Sequence, residues 1–328
     1  LKSVIIALNT VTAIFCCYII FVPSNIKNKM KQKIQFNSDG LVLVGNLFTP
    51  PGFTTSNKYP AILVGGSWTT VKEQMSGLYA EELAKKGFVT LSIDPRNFGE
   101  SEGQPRFYEN PVAKIADFKN AINYLTALPC IDVDNIYLTS VCASTGYMAN
   151  VAANDSRIKG FAAVASWLHD HEAVKLFYGG EEGVQARIRA AQMAKKKFAE
   201  TGEVAYIPTI SKTDTTAAMV GDYDYYLNAN RGAVPNWSAD KFAVMSWEDW
   251  LTFNPMPLAS KIQIPVLMVH SDGAVLGDHV KKFYAELPNE NKVLHWTEGS
   301  QFDFYDQPKQ VTEAVEAINV FFKEISTE

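Results

Sequence analysis

The segment from Ile136 to Tyr147 restricts the possible folds of this chain more than any other. An apolar, β-branched run ends in a turn of small residues, and a helix-forming segment follows. That pattern predicts a strand, a sharp turn and a helix, with the Cys142 thiol at the apex. Such a turn lifts one side chain above a sheet and points the next backbone N–H, from Ala143, at whatever that side chain attacks. The usual flanks of a nucleophile here are glycines, because they lie close to neighbouring backbone. In this chain they are Ser140 and Ser144. Two frames are open. Either Cys142 is the nucleophile, reached from the strand by the shorter turn, or Ser144 is, flanked by Cys142 and Gly146. A buried structural cysteine is the alternative to both.

The rest of the chain repeats the strand–helix rhythm. Lys33 to Asn37 and Leu41 to Thr49 read as strands joined at Ser38-Asp39-Gly40. Short apolar runs at Ala61 to Val64, Val89 to Ile93, Phe161 to Ala165, Val266 to Val269 and Val293 to Trp296 read as further strands. Helical patterns cover Met75 to Lys86, Pro111 to Leu128, Asp278 to Leu287 and Pro308 to Ile325. The alternation predicts an α/β fold: a mostly parallel central sheet covered by helices on both faces, with sites at the carboxyl ends of strands.

Regularity is lost between Trp167 and Met256, which divides the chain into a core (31–167 and 257–328) and a cap or lid insert (168–256). The insert holds a basic amphipathic stretch, Arg187 to Lys197, and is rich in aromatic residues. Trp167 at its border, Tyr226 and Trp247 are candidates for an apolar substrate pocket, or for the insert's own small core. Arg187, Arg189 and Arg231 either meet an anionic substrate group or are solvated and paired with acids of the insert.

With 328 residues, nearly half hydrophobic, the chain can bury a large core, and a net charge of −5 argues against a nucleic-acid partner. Four cysteines without motif-like spacing suggest neither a disulfide framework nor a metal site, and no cofactor is implied. Ser3 to Val22 is uncharged and of bilayer-spanning length, and Lys27, Lys29, Lys31 and Lys33 follow it. Residues 1–24 are therefore expected to be a membrane anchor, with the large domain on the cytoplasmic side, or else an export signal.

Taken in order, Gly65-Gly66-Ser67-Trp68, Asp94 through Ser101, Val141-Cys142-Ala143-Ser144, His270-Ser271-Asp272-Gly273 and Gln301 through Asp306 resemble the α/β-hydrolase superfamily, in its dienelactone-hydrolase-like branch. The resemblance runs from about Lys33 to the C-terminus. It implies a nucleophile–acid–histidine triad in which Cys142 matches the nucleophile and Asp272 the acid, with the Trp68 and Ala143 N–H groups as oxyanion donors. The third member departs from the pattern. Gln301 stands at the family's histidine position, and an amide cannot take a proton near neutral pH. His169, after the strand expected to neighbour the elbow, is the best substitute base; its alternative is a histidine satisfied by cap hydrogen bonds. The expected function is a hydrolase or acyltransferase acting on a small ester, thioester or lactone through Cys142. The alternative is a weak or inactive scaffold that binds an apolar ligand or a partner under the cap.

Overall fold

The computed structural model describes residues 30–326. Eight strands form one sheet: β1 (Lys31–Ser38), β2 (Leu41–Phe48), β3 (Tyr59–Gly65), β4 (Val89–Ile93), β5 (Ile131–Val141), β6 (Ile158–Val164), β7 (Val266–Gly273) and β8 (Lys292–Ser300). Their order across the sheet is β1-β2-β4-β3-β5-β6-β7-β8. β2 is antiparallel to β1 and β4, and each neighbouring pair from β4 to β8 is parallel. This is the expected α/β architecture.

The helices are α1 (Met75–Lys85), α2 (Pro111–Thr126), α3 (Ser144–Asn154), α4 (His171–Phe177), α5 (Gly180–Thr201), α6 (Asp224–Leu227), α7 (Ser246–Thr252), α8 (Gly277–Glu286), α9 (Asp303–Asp306) and α10 (Pro308–Ile325). Coverage from both sides explains the continuous apolar run of β5, whose residues from Ile136 to Val141 are all buried. α10 lays Val311, Val315, Ile318 and Phe322 on the sheet, and the Phe322 ring stacks on Tyr137 at 4.4 Å.

The chain steps outward from β3 to β4 and then crosses back past β3 to β5. Loops leaving the carboxyl ends of β3 and β5 diverge at this switch point and leave a crevice between them. The insert between β6 and β7 carries α4 to α7 and two small two-stranded sheets. Its α5 is a 22-residue helix, longer than the basic stretch suggested. Only Val184, Ala191 and Ala194 of α5 are buried, so its apolar periodicity is thin.

A buried ion cluster braces the loop after β3. Lys72, with its side chain 0% exposed, contacts Asp94 Oδ2 and Glu73 Oε1 at 2.7 Å and Glu100 Oε2 at 2.8 Å. Asp94 Oδ1 also accepts from the Lys72 backbone N–H at 2.7 Å. The polar loop after β4 is thereby fastened to the loop that carries Ser67 and Trp68.

The expectation of an N-terminal membrane anchor is corrected, and with it the membrane partner and the placement of the domain relative to a membrane. No helix among the described residues is long and apolar enough to cross a membrane. Ser3 to Val22 itself lies outside the described residues.

Candidate active site

Cys142 sits at the apex of the β5–α3 turn with φ 63°. A left-handed conformation costs a non-glycine residue about 1–3 kcal/mol and persists only where its surroundings over-determine it. Here the Cys142 N–H donates to the Val164 carbonyl at 3.0 Å, and the Cys142 carbonyl accepts from Thr145 and Trp167, both at 3.1 Å. The serine flanks fit because the needed space comes from β3. A Cβ at Gly65 would lie 2.7 Å from Ser144 Cβ, so Gly65 admits α3 to the sheet edge. Ser144 Oγ spends its hydrogen bonds on the Val141 N–H and carbonyl, each at 3.2 Å. Of the two frames, the geometry brings Cys142 to the crevice and folds Ser144 into the turn.

The crevice is a cavity of about 290 Å³. The core contributes Ser67, Trp68, Cys142, Ala143, Trp167, Gln301 and Tyr305; the insert contributes Tyr178, Arg187, Tyr226 and Trp250, among others. Of the three aromatics expected at the pocket, Trp167 and Tyr226 line it. Trp247 does not. It is buried behind the wall, with its ring 6.0 Å from Trp68, 4.9 Å from Phe242 and 5.1 Å from Tyr178.

The Trp68 and Ala143 N–H groups are directed at the Cys142 sulfur, as are the hydroxyls of Ser67 and Tyr305. All four favour a thiolate, yet burial outweighs them and pushes the thiol above its ordinary range. The hydroxyls form a chain. Tyr226 donates to Ser67 Oγ at 3.0 Å, and Ser67 Oγ and Tyr305 Oη lie 3.2 Å apart. Burial raises both tyrosines well above their ordinary value, so they stay neutral donors.

Gln301 is 6% exposed and fully engaged. Its Nε2 donates to the Ala165 carbonyl at 2.8 Å and to Tyr305 Oη at 3.3 Å, and its Oε1 accepts from the Val275 N–H at 3.1 Å. These partners fix the amide orientation. A backbone donor therefore stands where an orienting acid would have to accept.

The structure does not bring Asp272 to this cluster. Its side chain is 85% exposed, 3.7 Å from Lys281 Nζ. A glutamine presents no imidazole N–H for a carboxylate to hold, and the loop turns Val275 inward instead. His169 is not a free base either. It is 1% exposed; Nδ1 accepts from Trp167 Nε1 at 2.8 Å and Nε2 donates to the Trp250 carbonyl at 3.1 Å. Burial lowers its pKa to about 4, and it is absent from the cavity wall. Both nitrogens are spent on structure, as the alternative reading of this residue required.

Sequence reasoning missed Ser67, Tyr305 and Val275. Tyr305 carried a signal, because it follows Gln301 by four residues and a short helical turn puts the two on one face. Val275 carried none, since its backbone, not its side chain, makes the contact.

Comparison with known proteins identifies the family and the fold. The family model described as X-Pro dipeptidyl-peptidase (S15 family) matches residues 39–299. An uncharacterized protein of Pseudomonas aeruginosa, PA2218, is 32% identical over 292 residues, 84% of this chain and 76% of that protein. A thiohydrolase of Eupenicillium brefeldianum is 25% identical over 282 residues, 82% of this chain and 86% of that protein. The crystal structure of PA2218 superposes with a TM-score of 0.79 at 28% identity, covering 90% of this chain and 93% of that one. That of the α/β hydrolase GrgF from Penicillium sp. sh18 does so with a TM-score of 0.75 at 19% identity, covering 91% and 99%, and speaks to the fold alone. The eight-stranded sheet, the elbow at its switch point and the match over residues 39–299 place the chain in the X-Pro dipeptidyl-peptidase (S15) family of the α/β-hydrolase superfamily.

Proposed function

We propose that the protein is a hydrolase or acyltransferase that accepts the acyl group of an ester, thioester or lactone on Cys142 and releases it slowly. The carrying observation is the convergence of the Trp68 and Ala143 N–H groups on a cavity-facing Cys142. In the acyl-transfer step the Sγ–C bond forms, the bond to the leaving oxygen or sulfur breaks, and the thiol proton departs with the leaving group. The carbonyl oxygen gains charge as the tetrahedral species forms, and the two N–H groups meet it there. Acylation by a reactive ester thus requires no dedicated base. Deacylation does, because attacking water must lose a proton, and neither Gln301 nor the buried tyrosines can take it. The thiohydrolase among the relatives supports the hydrolase class, and the dienelactone-hydrolase-like motifs bring lactones into the proposed range.

The test is intact-protein mass after mixing the protein with p-nitrophenyl acetate, beside Cys142→Ala. A persistent acetyl adduct that the variant lacks is the expected result. An adduct that decays while product accumulates would point to a base beyond these residues. No adduct on either protein would favour a ligand-binding scaffold, the reading that the immobilised Gln301 supports.

A further inference from the structure

The cavity holds a cation with no counter-ion. Arg187 on α5 lines the wall, and among the described residues no carboxylate lies within ion-pair distance of it. Its setting contrasts with that of other cations in the insert. Arg231 pairs with Asp306 at 2.6 Å and Asp224 at 3.1 Å, and Lys195 pairs with Glu248 at 2.7 Å and Asp249 at 3.0 Å. Arg189, the third arginine of interest in the sequence, is exposed.

Arg187 is also held in place. Its Nη1 donates to the Tyr178 carbonyl at 2.9 Å and the Gly183 carbonyl at 3.2 Å. Its guanidinium lies over the Trp247 ring at 5.4 Å and the Tyr178 ring at 5.6 Å. Gly183 makes this possible, since a Cβ there would collide with the Tyr178 carbonyl oxygen and touch Nη1. A guanidinium is a planar fork of five N–H donors and does not lose its charge. The two carbonyls engage Nη1 alone, so Nε and Nη2 remain for a ligand. An uncompensated cation on an aromatic, half-buried wall is unfavourable unless something anionic arrives with the ligand.

We propose that Arg187 is a specificity residue for substrates whose acyl portion carries a carboxylate, such as half-esters or half-thioesters of dicarboxylic acids. The reacting carbonyl sits at Cys142 and the free carboxylate meets the Arg187 fork as a charge-assisted pair. The covalent part of this inference rests on the acyl-Cys142 reading; the binding part does not.

The experiment has two arms. In the first, Cys142→Ala is titrated calorimetrically with glutarate monomethyl ester, adipate monomethyl ester and their dimethyl counterparts. The half-esters should bind about ten- to a hundredfold tighter than the uncharged diesters, the worth of a charge-assisted bond. Adding Arg187→Gln should remove that ratio, and adding Arg187→Lys should retain part of it. Because each ratio is taken within one variant, a general loosening of the fold cancels. In the second arm, mono-p-nitrophenyl glutarate should acylate the native protein faster than p-nitrophenyl valerate, and Arg187→Gln should equalise the two. Equal binding of charged and uncharged ligands, or a preference unchanged in Arg187→Gln, overturns the inference. Binding preference without acylation by any ester upholds it while the acyl-Cys142 reading fails.

Discussion

The two sides of the cavity have fared differently. On the β3–β5 side the parts that the proposed acyl transfer would use are all present: a thiol at a strained elbow, two N–H groups beside it, and a loop anchored through Lys72. On the β7–β8 side no described side chain that could take a proton reaches Cys142. Gln301 occupies the base position, Val275 N–H faces it, and Asp272 points into solvent. The first side is built from backbone geometry that the fold itself enforces. The second depends on single side chains, and a glutamine at 301 has no imidazole N–H to hold a carboxylate.

The comparison can be broken most forcefully at Lys72. Lys72→Met leaves Asp94 buried without its ion pair and should destabilise the protein by about 3–5 kcal/mol. In a thermal scan the variant should melt well below the native protein, and any of it that stays folded should acylate poorly because the Trp68 loop has lost its brace. An unchanged melting temperature would show that the cluster does not support the oxyanion side.

Tyr305→Phe comes next. It removes one of the hydroxyls that favours the thiolate and should slow acylation by p-nitrophenyl acetate about tenfold, the worth of one hydrogen bond to a charged atom. The pH–rate curves of both proteins should climb through neutrality towards and beyond the ordinary thiol range, because burial raises the Cys142 pKa and the thiolate fraction grows with pH. An inflection near pH 6.5 would instead reveal a working histidine.

Gln301→His tests the other side and should disappoint. The Val275 N–H would meet the new ring nitrogen as an acceptor and hold the proton on the nitrogen facing the thiol, which is the wrong tautomer for a base. Turnover should rise less than about tenfold, whereas a correctly oriented base contributes at least about a hundredfold. A larger gain would mean that the β7 loop can swing its carboxylate inward. Asp272→Asn should have the smallest effect, with stability changed by less than about 0.5 kcal/mol and an unchanged acylation rate. A severe loss of activity would put Asp272 back in the site.

Much of the scaffold was legible because it rests on patterns local in sequence. A strand covered on both faces must read as the run Ile136 to Val141, and the α10 stripe of Val311, Val315, Ile318 and Phe322 must repeat at helical spacing. β8 was read short, as Val293 to Trp296, because as an edge strand it is only half buried and its apolar signal fades before Ser300. His169 was attractive because β6 does neighbour β5, but strand order says nothing of where an imidazole spends its nitrogens.

By itself, the sequence determined the α/β class, the elbow with its thiol, and the absence of a histidine at position 301, since each follows from residue identity within a short stretch. Only the tertiary structure decided which groups face Cys142, that Asp272 is outside, that His169 is sealed, and that Arg187 alone among the insert's three candidate arginines lines the cavity. Those outcomes are set by which distant segments deliver a carbonyl, a carboxylate or an N–H to the same point. Gln301, for example, meets Ala165 and Val275 across 136 and 26 residues of chain, and no local pattern records such meetings.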